Sequence, residues 1–306
     1  MKVELSIREF IKENEISVQR LHKCPTIYLE EPILKNDFEC KELIDKELDD
    51  SFVLLDLGIS LIIEIHKMCK ENAIGDKDKF AYTILTAKMV SQLLSIRKLL
   101  YSGLMDGVKC LIRPFQETSK IFFACMINQK FATQYANTDK SYDNKKFWDA
   151  NIKGTHLDKY MVQIFKTIAF PDKAKGYYFS RLESSKNFLS EAIHSSFNAT
   201  VVTLFMTTID WKFSENLWGK VTTAYPKIIL DLLTDIMLLN TIFFKCLEEG
   251  HSSAFEKTDF VGEKYFTYNY FRTTFEMTYN LYYDDLQQRV LDIMNELKEA
   301  TESMKK

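Results

Sequence analysis

Arg113 and Glu117 are the first pair of side chains whose types and spacing suggest chemistry. They stand four residues apart, which makes them neighbours on one face of a helix. Pro114 lies between them, and the apolar run 121–127 continues the same segment. A helix that is apolar on all sides is buried, and a buried charge needs a partner. We expect an ion pair that faces a polar pocket inside the protein, although a helical wheel also allows a pair on a solvated outer face.

Histidine supplies the second group of candidates. Glu191 and His194, and likewise Glu248 and His251, are three positions apart, so each pair shares one helix face. Ferritin-like di-iron proteins use two Glu-x-x-His pairs together with one glutamate from each of two further helices. A di-iron oxidoreductase is therefore one hypothesis. Against it, the second pair stands beside Gly250, where a helix is expected to end, and a solvated face is the alternative for the first pair.

The charge balance and the missing motifs narrow the function. Lys and Arg number 40 against 43 Asp and Glu, a net charge of -3, whereas nucleic-acid binders usually show a basic excess or stripe. The Gly-rich phosphate loops, the H-E-x-x-H zinc helix and the G-x-S-x-G elbow are all absent. We therefore expect no nucleic-acid partner and no cofactor. A non-catalytic binding or regulatory role is favoured, with a protein or small molecule as partner.

The cysteines and the apolar windows bear on the compartment. The six cysteines form no C-x-x-C pair, and several stand within apolar helical runs, which is typical of buried free thiols in a reducing compartment. The first nine residues are charged and lack the apolar core of a signal peptide. Two carboxylates interrupt each of the most apolar windows, 52–65 and 228–247, so neither fits a membrane span. We expect a soluble cytoplasmic protein without membrane contact.

Few chain breakers predict long helices. Only 9 Gly and 5 Pro occur among 306 residues, which is well below average usage. The expected fold is mainly α: a single domain, 1–306, built as an irregular bundle of about eight to ten helices. Within it we distinguish an N-terminal helical extension, 1–50, a polar surface excursion, 137–155, and a closing helix, 283–306.

Apolar periodicity places the individual elements. Helical spacing predicts helices at 3–23, 38–48, 52–72, 79–101, 104–135, 157–168, 172–197, 215–249 and 286–304. Two segments, 201–213 and 274–282, instead show the period-two alternation of strands, so one short two-stranded ribbon between them is an option. The aromatic segment 265–271 suits either core packing or the surface of a homodimer or another partner.

A family resemblance rests on two short strings. The segment 111–118, Leu-Ile-Arg-Pro-Phe-Gln-Glu-Thr, resembles the Arg-x-x-x-Glu helix of a widespread, poorly characterised bacterial family of all-helical proteins. In that family a later helix carries an aromatic residue, then Leu-Ser, then a histidine; Tyr178, followed by Leu-Ser-Glu-Ala-Ile-His ending at His194, is similar. The resemblance covers 80–200. It implies a helical fold in which Arg113, Glu117 and His194 meet at one place.

Some helical bacterial families of this general kind stand near the HEPN ribonucleases of toxin–antitoxin and phage-defence systems. Their motif is an arginine and a histidine separated by a few residues of one helix, whereas twelve residues separate Arg181 from His194 here. A ribonuclease or other phosphodiesterase would need Arg113 and His194 to meet from different helices. The histidine would act as general acid or base and the arginine would stabilise developing charge. This enzyme is the alternative to a binding role in stress or phage defence.

Overall fold

The protein is a helical bundle with one small β ribbon. The computed structural model describes residues 30–73, 77–138, 141–193, 205–211, 213–215, 219–250 and 265–303. These ranges contain ten helices and two strands: α1 Glu30–Glu47, α2 Asp49–Asn72, α3 Lys77–Tyr101, α4 Met105–Ile127, α5 Gln129–Ala136, α6 Ser141–Asn151, α7 His156–Thr167, α8 Asp172–Ile193, β1 Phe205–Thr207, β2 Phe213–Glu215, α9 Tyr225–Glu248 and α10 Phe266–Ser303. The prediction of a mainly α, multi-helix bundle is confirmed.

The core is built around α2, α4 and α9. Helix α4 packs against α3, α7 and α8, while α10 packs against α2 and α9. The second half of α4 is buried on every side, as its continuous apolar run predicted. Phe122 of α4 and Phe243 of α9 are fully buried, with ring centroids 6.0 Å apart. Each such side chain contributes about 1.5–3 kcal/mol through burial. Within the described ranges, no helix has both the length and the apolar character needed to cross a bilayer.

The single helix expected at 104–135 is wrong, because the chain breaks at Asn128. Helix α4 ends at Ile127, and Asn128 has extended backbone angles, φ −136° and ψ 94°. Its side-chain oxygen accepts a hydrogen bond from the backbone N–H of Phe131 at 3.1 Å. Asparagine is a favoured N-cap residue for this reason. The apolar pattern continues across the break because Phe131 and Ala132 of α5 return to the same core.

One further helix was not predicted, and one predicted helix begins later than expected. The polar segment 137–155 holds α6, whose Phe147 is buried and contacts Phe131 at 5.2 Å between ring centroids. Helix α9 begins at Tyr225, not at position 215, and Pro226 occupies its first turn. Proline is favoured there because a first-turn residue has no intrahelical N–H partner to lose. At the chain's ends, α1 covers part of the extension 1–50, and residues 1–29 lie outside the described ranges.

The two strands of the β ribbon lie close together in the sequence. Strand β1 pairs antiparallel with β2, with Met206 opposite Ser214, so both strands come from one short stretch of chain. Residues 274–282 belong instead to α10, and the predicted ribbon between 201–213 and 274–282 is wrong. Phe275 and Tyr279 of α10 are buried, while Met277 and Leu281 are exposed on the opposite side. Apolar residues on two faces of one helix therefore imitate the alternation of a strand. The expected closing helix, 283–306, corresponds over its described residues, 283–303, to the second half of the same α10.

Two glycines join the turn before α4 to the segment before α9. Gly103 has φ 74° and Gly219 has φ 98°, a backbone region that glycine adopts readily. The backbone N–H of Lys220 donates to the carbonyl of Gly103 at 3.0 Å. A Cβ on Gly219 would lie 2.3 Å from the carbonyl oxygen of Ser102. Neither position has room for a larger residue, so this contact holds residues 219–221 in place.

The glycine contact gives a stability prediction. We expect Gly219→Ala to lower the free energy of unfolding by more than about 1 kcal/mol, because alanine disfavours positive φ and its Cβ would clash. Gly176→Ala is the matched control: it lies on the exposed side of α8, with nothing near its Cβ position. There alanine should stabilise by about 0.5–1 kcal/mol through helix propensity. Urea unfolding followed by circular dichroism measures both, and shifts of the same sign would contradict the prediction.

Candidate functional site

Arg113 and Glu117 do not form the inward-facing ion pair expected from the sequence. Arg113 is exposed on α4 and Glu117 is half-buried. Among the described residues no ion pair joins the two side chains. Burial raises the pKa of Glu117, and the cations of Lys88, Arg113 and Lys120 partly counteract this rise. Helix α4 thus carries a partly desolvated carboxyl group beside three positive charges.

The histidine candidates fall largely outside the described ranges. His194 and His251 are not among the described residues; Glu191 belongs to α8, and Glu248 is exposed at the end of α9. Within the described part of the chain, no group of three or more His, Cys, Asp or Glu side chains could hold a metal ion. The Arg113–Glu117–His194 centre and the di-iron centre therefore stay predictions.

A buried ionic cluster joins three helices instead. Arg181 of α8 contacts the carboxylate of Asp235 on α9, and both side chains are more than nine-tenths buried. The Arg181 guanidinium also donates to the backbone carbonyl of Asp231 at 2.9 Å. From α4, the Gln116 amide donates to the second oxygen of Asp235 at 2.9 Å. Burial lowers the pKa of Arg181, and Asp231 is the main group that opposes this effect.

Tyrosines and a small cavity surround this cluster. Burial raises the pKa of Tyr178 on α8 well above its ordinary value, and raises the pKa of Tyr279 on α10 to about 12. The Tyr279 hydroxyl shares a hydrogen bond with Thr234 at 3.0 Å. Next to Gln116 and Asp235 lies a cavity of about 30 Å³. That volume suits a water molecule or two, and organic ligands need about ten times more. We therefore interpret the cluster as a structural link between α4, α8 and α9.

A second polar network fixes α9 to α10. The Tyr268 hydroxyl donates to the Asn240 side-chain oxygen at 3.0 Å, and the Asn240 amide donates to Glu276 at 2.8 Å. Arg272 donates to the other oxygen of Glu276 at 3.0 Å and lies over the ring of Phe244 at 4.1 Å. Each of these side chains meets a partner on the neighbouring helix or on its own, although the buried Nε of Arg272 makes no hydrogen bond. This network also has a structural role.

A crevice of about 370 Å³ lies between α1, the β ribbon and the segment before α9. Its lining consists of Asn36, Glu39, Cys40, Glu42, Leu43, Lys46, Thr208, Asp210, Gly219, Lys220 and Val221. The Asn36 amide donates to the carbonyl of Ser102 at 3.3 Å, which ties α1 to the glycine contact. Burial, with a contribution from Asp37, raises the pKa of Cys40 to about 11. The Cys40 thiol is therefore neutral at physiological pH and is a poor nucleophile.

The charged groups of the crevice are unevenly engaged. Lys46 forms an ion pair with Glu47 at 2.9 Å, and Glu39 forms a long one with Lys35 at 3.9 Å. The Thr208 hydroxyl donates to Asp210 at 2.5 Å. Glu42 lines the crevice, is exposed to solvent, and forms no ion pair or hydrogen bond with another described residue. The lining thus contains three carboxylates and two ammonium groups, and one carboxylate is available to a ligand.

Comparisons of the chain with known protein families, with curated proteins and with solved structures found no match. The crevice and the buried clusters are therefore the features from which a function has to be inferred. The sequence had singled out the string around Arg113, and Gln116 within it is the residue that reaches the buried cluster. Its partner Asp235 is 119 positions away, and no local pattern signals such a contact.

The Arg181–Asp235 pair should behave as a coupled, buried pair. Asp235→Leu and Arg181→Met should each cost about 3–5 kcal/mol, because each leaves a buried charge without its partner. The double variant should be less destabilised than the sum of the two single variants by more than about 1 kcal/mol. Asp149→Ala, which removes the exposed ion pair with Lys153, is the control and should cost less than about 1 kcal/mol. Additive costs in the urea-unfolding cycle would disprove the coupling.

Glu117 should make stability depend on pH. Because burial raises its pKa in the folded state, the folded protein holds this proton more tightly than the unfolded chain does. Stability is therefore lost as the pH rises above the ordinary glutamate pKa of about 4.5. Glu117→Gln should match the wild type below that value and be the more stable protein at pH 7. Thermal unfolding across the pH range measures this difference, with exposed Glu71→Gln as the control; a variant less stable at pH 7 would contradict the assignment.

Proposed function

We propose that this chain is a non-catalytic, small-molecule-binding protein whose ligand site is the crevice between α1, the β ribbon and residues 219–221. The ligand class is a small organic molecule with an ammonium group at the end of an aliphatic chain. The observation that carries the proposal is the crevice itself: about 370 Å³ in volume, with the Glu42 carboxylate left unengaged on its wall.

The size and lining of the crevice suit a small ligand. Pockets for organic ligands usually measure about 300–1,000 Å³ and combine apolar walls with a few placed polar groups. Leu43, Val221 and the neutral Cys40 thiol provide the apolar part. Asn36 and Gly219 belong to the fixed scaffold, since both contact the Ser102–Gly103 turn. A preformed site of this kind binds without a large cost in ordering.

The charges favour a cation over an anion. Glu42 is unengaged among the described residues, whereas Lys46 is held by Glu47. Asp210 on the β-ribbon side also raises the pKa of Lys46, after the larger effect of Glu47, so two carboxylates act on this lysine. An incoming ammonium group would meet Glu42 without displacing an existing ion pair. An incoming carboxylate would have to compete with Glu47 for Lys46.

The chemistry of the lining supports binding more than catalysis. The crevice residues include no histidine, and the one thiol is neutral at physiological pH because its pKa is about 11. A general acid or base works best with a pKa near the operating pH. A cytoplasmic setting belongs to the same proposal and is supported by the free thiols of Cys40, Cys69, Cys110, Cys125 and Cys246.

The positions of the two walls of the crevice support a regulatory role. One wall is α1, and the other is the segment that leads directly into α9. Tyr225, the first residue of α9, donates its hydroxyl to the carbonyl of Leu100 at 2.8 Å. A ligand that contacts both walls would therefore hold α1 against the N-terminus of α9. Binding would stabilise the folded state by RT ln(1 + [L]/Kd), where [L] is the concentration of free ligand.

The ligand class can be tested with two probes that differ only in one ammonium group. We expect L-lysine to bind with a Kd of about 1 mM or tighter, and L-norleucine to bind at least about tenfold more weakly, since a factor of ten is 1.4 kcal/mol. Isothermal titration calorimetry on the full chain measures both. Glu42→Gln should weaken L-lysine binding by about fivefold or more, the loss of a charge-assisted contact.

The matched control is Glu248→Gln, which removes an exposed carboxylate at the far end of α9. It should leave L-lysine binding unchanged. Equal affinities for L-lysine and L-norleucine would overturn the ligand class. Equal losses in the Glu42 and Glu248 variants would show general surface attraction and overturn the crevice as the site.

A further inference from the structure

The charges of this chain are separated between two parts of the bundle. Residues 77–193, which form α3 to α8, contain 19 Lys and Arg against 10 Asp and Glu. Residues 30–73, which form α1 and α2, contain 5 against 12, and α10 contains 3 against 7. Helix α10 packs against α2, so the acidic helices adjoin each other. The net charge of -3 is therefore the sum of an acidic and a basic part, and it describes neither surface.

A row of cations crosses α3, α4 and α7 within the basic part. Burial raises the pKa of Glu117 on α4, and Lys88 of α3 counteracts this rise together with Arg113 and Lys120 of α4. The three cations are therefore neighbours of one carboxyl group. Lys120 also reaches α7, where it forms an ion pair with Asp158 at 2.6 Å. The row thus continues from α3 over α4 to α7 without a gap.

The exposed side of α7 extends this row. Lys159, Val162 and Lys166 are all exposed, and at 3.6 residues per turn they lie within a sector of about 60° next to that ion pair. We call Lys88, Arg113, Lys159 and Lys166 the basic face. All four side chains are exposed, and none of them forms an ion pair with another described residue. The basic face therefore presents four cations that a partner can neutralise.

We propose that the basic face binds the phosphodiester backbone of a double-stranded nucleic acid without reading its sequence. Lysine and arginine contacts to phosphates supply non-specific affinity and carry no sequence information. Packed helices lie about 8–10 Å apart, so the face spans about 20 Å across α3, α4 and α7. Because a duplex carries about one charge per 1.7 Å of its axis, each of the four cations can meet a phosphate within that span.

The composition of the basic face favours nucleic acid over a protein or a membrane. Protein interfaces are depleted in lysine and have an apolar, aromatic-rich centre, and helices that lie on a membrane bury an apolar side. Among its cations on α7 the basic face exposes the aliphatic Val162 (55% exposed). Single-stranded nucleic acids usually stack their bases on aromatic side chains, and Val162 offers no such platform. Charge is the main chemistry of this face, and it suits the regular backbone of a duplex.

Glu117 is a carboxylate that opposes this partner. It is half-buried beside Lys88 and Arg113, and its negative charge partly cancels the field that attracts phosphates. Removing this charge should therefore strengthen binding, a result that damage to the fold does not produce. The basic face and the crevice share no residue, so this inference and the ligand-binding proposal can fail independently.

Fluorescence anisotropy with a labelled DNA duplex of about 30 base pairs tests the binding. The full chain should bind with a Kd of about 10 µM or tighter at about 50 mM salt. Each phosphate contact contributes about 0.9 to the slope of log Kd against log salt concentration, so four contacts should weaken binding about tenfold between about 50 and 100 mM. A Kd weaker than about 10 µM at the lower salt concentration, or a change of less than about threefold between the two, overturns the proposal.

Charge-reversal variants test the location of the site. The double variant Lys159→Glu, Lys166→Glu should bind the duplex at least about tenfold more weakly, because it replaces two phosphate contacts by repulsion. Lys41→Glu, Lys298→Glu makes the same change in net charge on exposed positions of α1 and α10, and should change the Kd by less than about threefold. Circular dichroism confirms that the helices of both variants are intact. Equal losses in the two variants would show an effect of net charge and overturn the basic face as the site.

Glu117→Gln tests the same face by a gain of binding. It should bind the duplex at least about threefold more tightly, because a repulsive charge beside the phosphates is removed. Glu71→Gln removes an exposed carboxylate of α2 and should leave the Kd unchanged. Unchanged or weaker binding by Glu117→Gln would contradict the proposed face.

Two further probes separate the possible partners. A single strand of about 30 thymidine nucleotides and vesicles with about 30% phosphatidylserine carry the same kind of charge as the duplex without its regular double backbone. With each Kd expressed per anionic charge, the duplex should bind most tightly of the three. Tighter binding of the single strand or of the vesicles would replace the duplex by that partner and overturn the proposal.

Discussion

The burial of one positive charge governs how this bundle is assembled. Arg181 leaves water only where α8 reaches α9, and there Asp235 and the carbonyl of Asp231 compensate its charge. Gln116 brings α4 to the same carboxylate. Such a pair adds little net stability over an apolar replacement, but breaking it is expensive, so it disfavours wrong helix registers. Close apolar packing also disfavours a displaced helix, and this ionic cluster adds an electrostatic cost to any displacement.

Helix α9 is held by a polar network on each side. The Arg181 cluster fixes it to α8 and α4, and Asn240 with Glu276 fixes it to α10. Most of its remaining surface is apolar and buried. The position of α9 then determines where the preceding residues 219–221 lie, and these residues form one wall of the crevice. The candidate ligand site therefore depends on polar contacts that lie deep in the bundle.

The sequence predicted the helical class and most helices, because a 3.6-residue apolar period is a local property. It failed where a local pattern has two explanations. Apolar residues on both sides of α10 looked like a strand at 274–282, and the run across Asn128 looked like one helix. The candidate site was harder still. The prediction put Arg113 and Glu117 inside the protein because the run 121–127 is apolar on all sides. That run begins only after the two residues, and Arg113 is in fact exposed. The residues that do meet, Gln116 and Asp235, are joined only by tertiary structure.

The crevice is closed by contacts between distant parts of the chain. Asn36 reaches Ser102 across 66 positions, and Tyr225 reaches Leu100 across 125. Contacts of such long separation form late, after the entropy of closing large loops has been overcome. A partly folded chain therefore lacks the crevice. Any ligand of the proposed site would therefore bind only chains that have completed this topology.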